Sequence, residues 1–163
     1  MHDARPVQLI KGLISLFERT PYWLIALLGR FSIAAIFWKS GQTKVQNFAM
    51  DIVSGEFQFG LPQLSDSAVF LFQEEYRLPL IAPEPAAILA AFAEHFFPAL
   101  ILLGLATRFS ALALLIMTLT IQLLVYPDAY PTHGVWATVL LLLLAKGPGA
   151  VALDHFIARK FSQ

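Results

Sequence analysis

Cysteine is absent from the chain, which excludes a disulfide relay, a thiolate metal site and a cysteine nucleophile within it. Any redox role must therefore rely on a bound cofactor or a partner. Charge is scarce as well. Charged residues make up 13% of the sequence, the formal net charge is zero and the basic residues are scattered. A nucleic-acid binder needs a phosphate-neutralising stripe, so no nucleic-acid partner is expected. The histidines do not stand at a chelating helical spacing, and no metal site is expected. The opening MHDARPVQLIKGLISLFERT interleaves charges with apolar residues and lacks the apolar core and cleavage site of a secretory signal, so it is expected to be retained.

What fills the chain is hydrocarbon. It is 58% hydrophobic with a mean hydropathy of +0.68, the composition of an integral membrane protein. Four segments approach the roughly 17 to 25 apolar residues that a bilayer demands, at about 22–40, 85–105, 109–126 and 132–146. The fourth is short, because Lys146 and the breaker Gly147-Pro148-Gly149 leave it roughly 22 Å of helix. Ahead of the first, residues 6–20 place Leu9, Leu13, Leu16 and Phe17 at helical spacing, as an amphipathic helix lying on the membrane would. Ala150 to Phe161 reads as a second such helix. The expected fold is an all-α membrane protein, one domain over 1–163, with a four-helix transmembrane bundle behind an N-terminal interfacial helix. Residues 41–84 form a long loop, with a short helix expected over Ser67 to Tyr76. Arg5, Lys11, Arg19, Arg108, Lys146, Arg159 and Lys160 gather on one side, which the positive-inside rule makes cytoplasmic, so both termini face the cytoplasm and 41–84 faces out.

Within AFAEHFFPAL, Glu94 and His95 are the polar exceptions in an apolar span. Counting helical rise puts Arg30 about 6 Å from Glu94 in depth, within reach of an Arg side chain. An isolated charge there would cost ~2.5 to 3.5 kcal/mol or more, so an Arg30–Glu94 pair is expected, as a register device or as the electrostatic setting of a site. His95 points about 100° away from Glu94 and serves either as a ring bonded to a neighbouring helix or as a pocket residue. Gln122, His133, Trp136, Lys39 and Lys44 fall in the same outer half. Each has a plainer role: interhelical hydrogen bond, aromatic belt or membrane-edge cation. Their convergence suggests an outward-opening pocket, since ligand sites pair an apolar lining with a few placed polar groups.

The succession GRFSIAAIFWKSGQTKV, AEHFFPALILLGLATRFSAL, YPDAYPTHGVWA and KGPGAVALDHF resembles the DoxX family of small bacterial membrane proteins. Its pattern positions correspond to Arg30, Gly41, Lys44, Glu94, Gly104 and Arg108, followed by His133 and by Gly147, Pro148, Gly149 and Asp154. The resemblance implies a four-helix bundle of the bacterial cytoplasmic membrane associated with redox functions. One such relative is a subunit of a thiosulfate:quinone oxidoreductase, and others are tied to oxidative stress or thiol handling. The expected role is a redox-system subunit that binds a quinone or similar lipophilic molecule. Arg30, Glu94 and His95 would carry the chemistry, while Lys39, Lys44, Gln122, His133 and Trp136 would hold the ring. A partner oxidoreductase and membrane lipid are the expected partners, and self-association is compatible with the sequence. A non-catalytic anchor for a soluble enzyme and a small-solute carrier are the rival roles.

Overall fold

The computed structural model describes residues 4–51 and 54–161; residues 1–3, 52–53 and 162–163 of the expected 1–163 domain lie outside them. Helix α1 (Ala4–Glu18) leads into α2 (Tyr22–Gln42). A hairpin of β1 (Val45–Asp51) and β2 (Glu56–Leu64) follows, then α3 (Asp66–Leu71), which runs on into a π-turn, Phe72–Tyr76. The remaining helices are α4 (Pro83–Leu103), α5 (Thr107–Leu124), α6 (Tyr130–Lys146) and α7 (Leu153–Phe161). The chain is therefore mostly helical. The all-α expectation is corrected by the antiparallel hairpin, in which Phe48 faces Phe59 and Met50 faces Phe57. In β2, Phe57, Phe59 and Leu61 alternate with Glu56, Gln58 and Gly60, a period of two that suits a pleated strand.

Four helices meet in one core. Ala26, Ile33, Ala34 and Phe37 of α2 pack with Ile101 of α4, Ala111 and Leu114 of α5, and Leu140 and Leu143 of α6. The buried face of α4 is built from small residues, Ala86, Ala87, Ala90 and Ala91, which let α2 and α3 come close. Large side chains such as Leu28, Phe31, Phe92, Phe109 and Ile116 point outward, as suits a protein whose surroundings are lipid. Helices α2, α4 and α5 are each long and apolar enough to cross a membrane. Helix α6 has 17 residues, roughly 25 Å at 1.5 Å each, longer than its sequence suggests yet below a ~30 Å core. Helix α1 is present, and its described side chains, Val7 to Glu18, are all exposed.

The α4–α5 turn is tight for a reason that can be read atom by atom. Gly104 ends α4 at φ 70° and donates its N–H to the Ile101 carbonyl, while the Leu105 N–H reaches Leu100. A Cβ on Gly104 would stand 2.5 Å from the Ala152 Cβ and 3.0 Å from the Arg30 guanidinium carbon. Asp154 then caps α5, its two carboxylate oxygens accepting from the Ala106 and Thr107 N–H groups at 2.7 and 2.9 Å. This puts α1, the α4–α5 turn and α7 at one end of the bundle, the terminal end, and the hairpin and α3 at the other. Gly104→Ala should lower thermal stability in detergent by an amount on the order of 1–3 kcal/mol or more. Gly134→Ala, in α6 with nothing within 4 Å of the new methyl, should be neutral or mildly stabilising. Equal melting of the two variants would refute the close approach at Gly104.

Candidate functional site

At the hairpin end, α2 stops at Gln42 and the chain turns back, the Lys44 N–H bonding the Gly41 carbonyl at 2.9 Å. That turn folds the Lys44 side chain over the helix end. Its ammonium donates to Glu94 Oε2 at 2.7 Å, to Ser40 Oγ at 3.1 Å and to the Ser40 carbonyl at 3.3 Å, so all three N–H groups are engaged. Both members of the ion pair are 3% exposed, which makes this a buried pair and not a surface one. Glu94 carries a second local feature. Pro98, four residues on and buried, has no N–H to give to the Glu94 carbonyl, so the helical ladder is interrupted behind the carboxylate.

The expected Arg30–Glu94 pair is corrected. Arg30 is equally buried but lies at the terminal end, where its Nε donates to the Ile101 carbonyl at 2.8 Å and its Nη2 to Leu102 at 2.6 Å. Its Nη1 reaches the carbonyls of Val151 at 2.5 Å and Pro148 at 3.2 Å. Two of these acceptors are carbonyls of the last turn of α4, the negative end of the helix dipole, and the Ile101 carbonyl is shared with the Gly104 N–H. Depth counting failed because side chains lean toward the N-terminus of their own helix. On antiparallel α2 and α4 that leaning carries Arg30 and Glu94 away from each other.

His95 sits beside the ion pair, half-buried, with its ring edge-on to Trp38 at 5.0 Å and to Phe48 at 6.2 Å. Its hydrogen-bond roles follow from one fixed donor. The Met50 N–H of β1 donates to Gln42 Oε1 at 2.7 Å, so the Gln42 amide turns its NH2 toward His95 Nε2, 2.7 Å away. Nε2 must then accept, and the ring proton is on Nδ1, donated to the Ala91 carbonyl at 2.7 Å. Trp38 holds the other side of Met50, donating its indole N–H to that residue's carbonyl at 2.8 Å. Gly41 makes the approach possible: a Cβ there would lie 2.8 Å from His95 Cε1.

The remaining expected residues form a separate group. His133 Nδ1 lies 2.7 Å from Gln122 Oε1, the Gln122 amide donates to the Pro127 carbonyl at 2.6 Å, and Trp136 packs on His133 at 5.0 Å and on Phe37 at 5.6 Å. Lys39 is an exposed cation 3.7 Å from Asp51. The expected polar residues thus fall apart into the Lys44–Glu94 pair with His95 beside it, the Gln122–His133–Trp136 group, Arg30 at the terminal end, and Lys39 outside all of these. Sequence reasoning did not single out Gln42, Trp38, Phe48 and Ser40. Ser40, four residues before Lys44, and Gln42, a polar residue at the end of an apolar helix, were the available signals. Tyr76 was missed too. Its ring packs at a tilt on Phe72 at 4.5 Å and meets Tyr126 edge-on at 5.8 Å, and the Tyr126 hydroxyl donates to Glu75. Burial pushes the Tyr76 phenol above its ordinary range, and the charges of Glu94 and Glu75 add to that. The Tyr126 phenol is raised by desolvation and by its bond to Glu75. Among the described residues, no three His, Cys, Asp or Glu side chains gather as a metal-binding group.

A family model, DoxX, matches residues 25–127, which span Arg30, Lys44, Glu94 and Arg108. The chain belongs to the DoxX family. With its apolar helices, this makes it a multi-pass membrane protein. No curated protein and no solved structure matches it. In this DoxX protein His133 and Trp136 lie beyond the matched segment, whereas the ion pair and His95 lie within it.

Lys44→Met and Glu94→Gln should each destabilise by about 3–5 kcal/mol, since each strands a buried partner, and the double variant should cost less than the sum. Arg30→Gln combined with Glu94→Gln should be additive. The reverse pattern in double-mutant cycles would restore the Arg30–Glu94 pairing. Because the folded state holds the Tyr126 proton more tightly than the unfolded chain, its stabilising share is intact below about pH 10 and is lost as pH rises through the raised folded value. Ultraviolet titration of the phenols should show the last ionisation moving down in Glu75→Gln; an unchanged curve would disprove the Tyr126–Glu75 bond.

Proposed function

We propose that this DoxX protein is the membrane subunit of a redox system and binds a quinone, or a lipophilic molecule of like chemistry, at the hairpin end beside His95. The supporting observation is a half-buried imidazole set against a buried Lys44–Glu94 pair and bordered by Trp38 and Phe48. Such a place suits a flat apolar ring that carries polar oxygens. A quinone would supply two-electron chemistry coupled to proton uptake at its ring oxygens. The chain itself contributes binding and a proton path, and electrons pass to or from a partner oxidoreductase.

His95 is the group placed to exchange a proton with a bound ring. Its Nε2 accepts one only when the Gln42 amide gives way, because Gln42 presents donors to that nitrogen. Lys44 and Glu94 hold the field around the ring, and the separate Gln122–His133–Trp136 group would serve the ring only if the ring moved away from His95. The same reading places the protein in the bacterial cytoplasmic membrane, with both termini inside and the hairpin outside, on the asymmetry of Lys and Arg.

Lipid extracts of the protein purified in mild detergent should contain quinone. His95→Gln should still fold in the membrane but retain several-fold less quinone. A preparation free of quinone that carries a stoichiometric soluble protein would instead identify a non-catalytic anchor.

A further inference from the structure

At the terminal end, far from His95, two adjoining cavities of about 360 and 390 Å³ share Arg108, Pro148 and Asp154 as walls. The first also has Lys146 and His155 on its rim, and the second is bordered by Thr107. Arg108 is exposed and spends its Nη1 on the Leu144 and Ala145 carbonyls at the end of α6. Among the described residues its Nε and Nη2 make no hydrogen bond. Thr107 is fully buried, and its hydroxyl is the buried side-chain group that finds no partner among the described residues. The one anion here, Asp154, already has both oxygens occupied by backbone N–H groups. The groove therefore offers two cations, unspent guanidinium donors and an unpartnered hydroxyl, with no free carboxylate oxygen to oppose a negative ligand.

The buried Thr107 hydroxyl is costly without an acceptor, and the exposed Arg108 and Lys146 are accessible to an anion that could supply one. The groove also opens beside apolar surface: Trp23 and Phe109 are exposed next to it, and α7 carries exposed Phe156, Ile157 and Phe161 with Arg159 and Lys160. We propose that the groove binds the phosphate-bearing headgroup of an anionic phospholipid, gripped by Arg108 and Lys146 with the Thr107 hydroxyl as a donor, its acyl chains lying along the apolar outside of α5. Basic pockets between membrane helices take such headgroups by the same combination of charge and hydrocarbon. A free phosphate would share the charge chemistry but would leave the flanking apolar surface unused.

The test is native mass spectrometry of the full chain, delipidated in mild detergent and titrated with phosphatidylglycerol, phosphatidylcholine or inorganic phosphate. Phosphatidylglycerol should bind at least tenfold more tightly than phosphatidylcholine, and Lys146→Gln should weaken it roughly fivefold, the share of one cation near an anionic headgroup. Arg108→Gln is unsuitable alone, since Arg108 also holds the end of α6. Thr107→Val supplies the independent check. It should weaken phosphatidylglycerol binding while the lipid-free protein melts at the same or a higher temperature, because an unsatisfied hydroxyl has been removed. Equal binding of the two lipids, or variants that bind phosphatidylglycerol as the parent does, would overturn the proposal. So would inorganic phosphate binding as tightly as the lipid, which would make this a free-anion site.

Discussion

The seam between α2 and α4 is closed at both ends by a buried cation that has no water to solvate it. In a hydrocarbon medium every backbone carbonyl and every charge needs a partner supplied by the protein. At the terminal end Arg30 donates to carbonyls of the last turn of α4 and of the segment that follows α6. At the hairpin end Lys44 meets Glu94. The stripe of alanines on α4 and the bare surface of Gly41 bring the backbones near enough for these short side-chain reaches. Each feature depends on the other: the small residues set the spacing, and at that spacing each buried cation reaches its acceptors.

The helices were legible because apolar length is a strong signal in a membrane chain. Expected and observed limits agree within about two residues for α2, α4, α5 and α6, since tight turns at Gly104 and Gly147 leave little latitude. The hairpin was less legible, although Glu56-Phe57-Gln58-Phe59-Gly60-Leu61 alternates as a strand should. A two-stranded sheet whose second strand is exposed on both faces lacks the long apolar run that dominates the rest of the sequence, and Pro62 inside β2 has no N–H for the ladder. Pairing was the least legible level. Depth gave the height of each Cα but not the direction in which its side chain leans, which sent Arg30 to helix-end carbonyls and left Glu94 for a lysine beyond the end of α2. Gln122 and His133 were each visible as polar residues in apolar helices, but their bond crosses two helices and no spacing encodes it.

The two ends of the bundle differ in their balance of donors and acceptors, and that difference bears on how each can bind anything. Near His95 the accounts are closed: Met50, Gln42, His95 and Ala91 form one chain in which each donor faces an acceptor, and Lys44 has no N–H to spare. A ligand or a proton that arrives there must displace a bond. The link it displaces, Gln42 to His95, belongs to the same chain that ties β1 to α4, so occupancy at His95 and the docking of the hairpin are physically joined. Around Arg108 the balance runs the other way, with donors in excess and Thr107 unmet. An acceptor arriving there breaks no hydrogen bond within the protein, and its binding is opposed by the hydration and freedom that it and the exposed cations lose. A site of the first kind suits a ligand that comes and goes with a change of state, and a site of the second kind suits one that stays.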